Sequence, residues 1–171
     1  IYTKPKQIFM TAFMGELVGT ALLITFGDGV VANVVLNKTK GNNSGWIVIN
    51  FGWAMAVFIA VYASASSSGA HLNPAITIAK AASGSFAWAD VPMYFAAQMI
   101  GAMIGATLVW LIYKQHFDAT EDAAAKLAVF CTGPAIRGAT YNLLTEIIAT
   151  CLFVTAVLFI THGKESLGSL D

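Results

Sequence analysis

A few side chains capable of chemistry stand out in a strongly apolar chain. Asn73 directly precedes Pro74 in the run SGAHLNPAITIA, residues 68–79. Its amide offers N–H donors to an oxygen, and at the start of a helix those donors are backed by the positive end of the helix dipole. Glu16 and Glu146 are carboxylates inside apolar runs, where a charge is costly and is expected to face inward with a partner. They fit either a proton relay or catalytic pair, or acceptors for backbone N–H groups. An enzyme would need a nucleophile and a base in contact, and only His71 with Ser64, Ser66, Ser67 or Ser68 is available. Those serines read better as small residues around irregular backbone, so no enzyme is expected. His71, His116 and His162 lack metal-ligand spacing, and Cys131 and Cys151 match neither a metal site nor a disulfide framework. No metal and no cofactor are expected.

The elements that hold these residues are membrane elements. The chain of 171 residues is 57% hydrophobic and 11% charged, with a mean hydropathy of +0.71, which is too apolar for an ordinary soluble domain. Nine basic residues balance nine acidic ones. No global field is available to recruit a nucleic acid. A helix needs about 20 apolar residues to cross about 30 Å of hydrocarbon, and four segments qualify: Ile8 to Leu36, Trp46 to Ala65, Val91 to Tyr113 and Asn142 to Ile160. The opening IYTKPKQ leads into a run too long for a signal peptide, with no small-residue cleavage site after it, so the segment is expected to stay in the protein. The chain starts on Ile1, and the native start is expected to lie upstream.

A fifth apolar piece, 73–83, is too short to span. At 1.5 Å per residue it covers about half the hydrocarbon thickness, so it reads as a re-entrant half-helix with Asn73 as N-cap and Pro74 at the first helical position. Lys80 near its other end can snorkel to the surface. Ser64 to Leu72 is then expected to be non-helical backbone leading to mid-membrane, which survives only where it is buried in protein or lines a wet cavity. Gly69, Ala70 and His71 are expected to present unpaired carbonyls there, as extended backbone.

An internal repeat ties the two glutamates together. ELVGTALLIT, from Glu16, aligns without gaps with EIIATCLFVT, from Glu146, at an offset of 130 residues. An odd number of spans per copy makes this an inverted-topology repeat, whose sites form from discontinuous helices near the midplane. The expected organisation is a first repeat over 1–116, an extramembrane connector over 117–140, and the first span of a second repeat over 141–171. The second counterpart of Asn73 would fall near position 203, past the given sequence. The repeat favours the N–H acceptor role for Glu16 and Glu146, one loop for each.

HLNPAITIA within SGAHLNPA resembles the first Asn-Pro-Ala signature of the major intrinsic proteins, the aquaporins and glycerol facilitators. ANVVLNKTKGNNSGW, FGWAMAV and FCTGPAIR are similar to segments of bacterial glycerol uptake facilitators, and the resemblance covers essentially the whole chain. It implies an all-α membrane fold of six spans and two half-helices meeting in each subunit's own pore. Residues 1–171 would hold one repeat and the first helix of the next. The resemblance also implies a cytoplasmic N-terminus, a cell-membrane location and a homotetramer. Lysine and arginine counts do not set the orientation, since four would lie on one side and five on the other.

By the same resemblance, Asn73, Pro74 and Ala75 form the pore motif, and Gly69, Ala70 and His71 supply the carbonyls. Glu16 and Glu146 anchor the re-entrant loops. Trp53 gives an apolar face against polyol carbons, rather than the interface-belt role expected of Trp46, Trp88 and Trp110. Val57, Leu72, Ile76 and Phe153 match pore-facing apolar positions less specifically. The permeants implied are glycerol, small uncharged polyols and water. The rivals are a water-selective aquaporin and a proton-coupled transporter relaying through Glu16 and Glu146.

Overall fold

The computed structural model describes residues 10–160, all helices and turns. Lys4, Lys6, Ile8, His162 and Lys164, with the outer ends of the first and last segments, lie outside the described residues. Four helices are long and apolar enough to cross a membrane: α1 (Ala12–Val35), α2 (Trp46–Ser68), α4 (Val91–Ile112, entered through a 3₁₀ turn at Trp88–Asp90) and α7 (Ala139–Ile160). Between α2 and α4 lies the short α3 (Pro74–Ala82). Thr11 caps α1, its Oγ1 accepting from the Met14 N–H at 3.3 Å.

α1 is the central helix, packed on one side by α2 and on the other by α4. Small residues make this possible. A Cβ on Gly101 of α4 would stand 2.4 Å from the carbonyl oxygen of Leu17, and one on Gly105 would stand 2.7 Å from that of Ala21. The two backbones therefore approach closer than any side chain permits, which is how helices associate without a hydrophobic drive between them.

The structure differs from expectation at the entry to the half-helix. α2 does not stop near Ala65 but continues to Ser68. Its serines stay in the helix because their hydroxyls bond back onto it: Ser64 Oγ to Ala60 O, Ser67 Oγ and Ser68 Oγ to Ser64 O. Gly69 ends the helix in the left-handed conformation, φ 76°, its N–H donating to Ala65 O. The non-helical stretch expected from Ser64 thus shrinks to 69–73.

The segment Lys114 to Thr140 also holds more structure than a plain connector, with α5 (Lys114–Ala119) and α6 (Ala123–Ala128) inside it. Phe117 and Val129 bury against Ala32, Leu36 and Val109, closing the ends of α1 and α4. The turn after α1 is pinned to the same cap, the Asn37 N–H donating to Thr120 Oγ1 at 2.9 Å and His116 Nδ1 to Asn37 O at 3.1 Å. α7 lies against α3 and has no buried residue among those described.

Candidate functional site

The site is built around the turn between α2 and α3. Ala70 and Leu72 take positive φ values, 47° and 51°, as Gly69 does. Side chains rarely tolerate that region, so surrounding structure must hold the turn in place. Three groups do so. The Ala70 N–H donates to Ser68 Oγ at 3.1 Å, and Tyr94 Oη of α4 donates to Ser68 O at 2.7 Å. The third is Glu16, fully buried in α1, whose Oε1 accepts from the His71 N–H at 2.9 Å and Oε2 from the Leu72 N–H at 2.8 Å.

This geometry explains the buried carboxylate. It forms no ion pair among the described residues, where Lys114–Asp118 on the exposed α5 is the ion pair. Compensation comes instead from N–H donors, a third being Gln98 Nε2 of α4 at 2.8 Å from Oε2. Charge-assisted hydrogen bonds of this kind stabilise a buried anion. Glu146 is differently placed: it is exposed on α7, beside Thr132, Gly133 and Pro134, with no hydrogen-bond partner among the described residues.

The carbonyls of Gly69, Ala70, His71 and Leu72 accept no hydrogen bond from a described residue. They are unpaired because the backbone turns through left-handed conformations, rather than because it is extended. The half-helix begins at once after them. Asn73 is its N-cap, with Oδ1 accepting from the Ala75 N–H at 2.8 Å and Pro74 entering the first turn. The cap fixes the amide's orientation: with oxygen on the helix, Nδ2 and both its hydrogens remain free. Capping and donating are therefore two ends of one side chain.

His71 is buried, and its ring packs against Phe86 and Tyr94 at centroid separations of 4.7 Å each. Its Nδ1 lies 3.2 Å from Thr77 Oγ1. A packed ring leaves the main-chain carbonyl as the group His71 offers. Trp53 is half-buried on the side of α2 that meets α1. Its six-membered ring occupies the space in which a Gly27 Cβ would stand, 2.5 Å away, so the glycine seats the indole. Val57 and Phe153 are exposed at 39% and 43%. Leu72 and Ile76 are not: both are buried, Leu72 against Gly19 of α1. Leu72 combines a positive φ with a side chain seated beside Gly19, and Ile76 is buried in the first turn of α3.

Residues 4–170 match the major intrinsic protein family. The chain belongs to that family. It is 55% identical over 155 residues to a probable glycerol uptake facilitator protein of Thermotoga maritima, covering 91% of this chain and 66% of that protein. It is 54% identical over 159 residues to the glycerol uptake facilitator protein of Bacillus subtilis, covering 93% and 58%. The chain thus spans roughly three fifths of the length of these relatives. The X-ray structure of the aquaglyceroporin from Plasmodium falciparum superposes with a TM-score of 0.59 at 36% identity, over 63% of this chain and 43% of that one. As a major intrinsic protein with four apolar spans, this is a multi-pass membrane protein with a partial aquaporin-like repeat.

Gln98, Thr77 and Tyr94 are not among the residues the sequence singles out, and Ser68 is there only as a small residue around irregular backbone. One signal was available for Gln98: it is the sole amide in the apolar run of α4, and polar groups at membrane depth mark sites. Thr77 gives no such signal, since it looks like an ordinary small helix residue.

Proposed function

We propose that the full-length protein is a passive channel for glycerol and similar small uncharged polyols, passing water as well, and is not an enzyme. The observation that carries this reading is the pairing of a committed Asn73 cap with unpaired carbonyls on the preceding turn. It places free donors, Asn73 Nδ2, next to free acceptors at the mouth of a half-helix. A polyol can exchange its water for these groups, one hydroxyl after another. Trp53 and Val57, with Phe153 of the second repeat, supply the apolar wall along which the carbons slide. An ion would lose its hydration without adequate replacement, and the positive end of the half-helix opposes cations and protons. The names of the relatives support glycerol over water as the principal permeant. We further propose, from the resemblance to the family, a cytoplasmic N-terminus and a homotetramer in which each subunit has its own pore, lipid covering the remaining apolar faces.

A proton-coupled transporter would need Glu16 to exchange protons with a second group. Both its oxygens are taken by N–H donors, and no bonded path joins it to Glu146 among the described residues. Stopped-flow light scattering separates the readings. Liposomes carrying the full-length protein, exposed to a glycerol gradient, should shrink and then recover volume rapidly, with no dependence on a pH gradient. Shrinkage without recovery identifies a water-selective channel, and recovery that follows the pH gradient identifies the transporter. Asn73→Asp keeps the capping oxygen while removing the donors, so it should leave the fold intact and slow glycerol recovery.

A further inference from the structure

Gln98 carries a bonding pattern that packing alone does not call for. Its side chain is 97% buried by position, with only 3% of its surface exposed. Both hydrogens of its amide are in use, one on Glu16 Oε2 at 2.8 Å and the other on Thr77 Oγ1 at 3.0 Å. Its own oxygen, Oε1, is buried with no partner. Turning the amide over would set that oxygen against the Glu16 carboxylate, acceptor against acceptor, so the donors are the end that the site requires. A buried carbonyl oxygen left unpaired costs stability. The two donor contacts, on Glu16 and on Thr77, are therefore what the amide supplies at this position.

The two acceptors lead to the same place. Glu16 holds the N–H groups of His71 and Leu72. Thr77 Oγ1 donates to Asn73 O at 3.1 Å, and that carbonyl also receives the Thr77 N–H at 3.0 Å. With its single hydrogen on Asn73, Thr77 Oγ1 accepts from both Gln98 and His71, which places the His71 ring proton on Nδ1. One amide on α4 therefore links the carboxylate that fixes the turn to the hydroxyl that fixes the first turn of α3, with Asn73 between them.

We propose that Gln98 is a positioning residue of the pore: through Glu16 and Thr77 it sets the orientation of the Asn73 donor and of the carbonyls before it. This rests on the polyol-channel reading above for its functional consequence, but not for its structural one. The contacts themselves make a prediction that conduction need not enter. Losing the clamp loosens the turn, whatever passes it.

The test uses the full-length protein in liposomes, with Gln98→Met, Thr77→Val and Thr77→Ser beside the wild type. Glycerol and water permeability are measured per folded channel, and hydrogen exchange is followed in the peptide covering residues 69–79. Gln98→Met matches the volume and removes both donors. It should speed exchange of the His71 and Leu72 amides and lower the glycerol-to-water permeability ratio roughly tenfold, the scale of one hydrogen bond to a charged group. Thr77→Val should act in the same direction, and Thr77→Ser should recover most of the ratio. A lower yield of folded Gln98→Met with ratio and exchange both unchanged would overturn the proposal, because a purely structural role predicts that outcome. Where Gln98→Met does not fold, equal behaviour of Thr77→Val and Thr77→Ser overturns it, and rescue by serine supports it. A wild type that passes no glycerol, while Gln98→Met still speeds exchange, removes the polyol reading and leaves the clamp standing.

Discussion

Glu16 and Glu146 begin matching ten-residue runs, yet they end in different surroundings. Glu16 is fully buried and takes three N–H groups, two from the turn and one from Gln98. Glu146 is exposed, with none among the described residues. Both helices are apolar along their length, so the contrast does not come from the helix that bears the carboxylate. It comes from what folds against it. α1 lies between α2 and α4 and meets a turn whose N–H groups have no helical partner, whereas α7 meets only α3 among its main contacts. A carboxylate inside a membrane protein is thus matched to an irregular loop rather than to its own helix.

The largest effect is expected at Glu16. Glu16→Leu leaves two turn amides and one amide hydrogen of Gln98 buried without an acceptor, at about 1–3 kcal/mol each. The unfolding midpoint in detergent should fall by the equivalent of roughly 3 kcal/mol or more. An unchanged midpoint would show that the turn keeps its shape without the carboxylate. Glu146→Leu sharpens the point. In residues 1–171 alone it should shift stability by less than about 0.5 kcal/mol, as surface changes do. In the full-length protein it should cost as much as Glu16→Leu if the second copy supplies an equivalent turn. Equally small effects in both would end the functional reading of the repeat.

A smaller effect is expected where α1 meets α2 away from the turn. Gly27→Val drives a side chain into the Trp53 ring and should destabilise by about 1–3 kcal/mol through overpacking. Trp53→Phe in the same chain should restore part of that stability, and a double-mutant cycle measures the coupling. Additive losses would mean that Gly27 does not seat the indole. The smallest change in stability belongs to Asn73→Asp, within about 0.5 kcal/mol by thermal unfolding, because aspartate caps a helix as well as asparagine does. A large loss there would mean that the free amide hydrogens, rather than the cap, hold the fold.

Much of this was readable from residue types. Apolar runs located the four spans, and the Asn-Pro pair located the start of the half-helix to the residue, because capping is a local matter of a side chain and its next few N–H groups. The end of α2 was misjudged because serine is a weak helix former in general, whereas here each hydroxyl bonds back along the helix. The connector helices α5 and α6 were missed because their stability comes from burying Phe117 and Val129 against the ends of α1 and α4. The packing of Leu72 against Gly19 had no sequence signal, because it depends on a backbone turn with positive φ at Leu72 that only the fold fixes.

The sequence by itself determined the solvent, the spans, the broken segment and the residue that starts it, since each depends on hydrophobicity, length or near-neighbour bonding. The tertiary structure alone decided which groups complete the site. Gln98, Thr77 and Tyr94 lie 82, 61 and 78 residues from Glu16 in the chain, or fewer from the turn they hold, and no local pattern couples them. They act together because α4 packs on α1 at glycine contact and also against α3, which brings one amide within 3.0 Å of both the carboxylate and the half-helix.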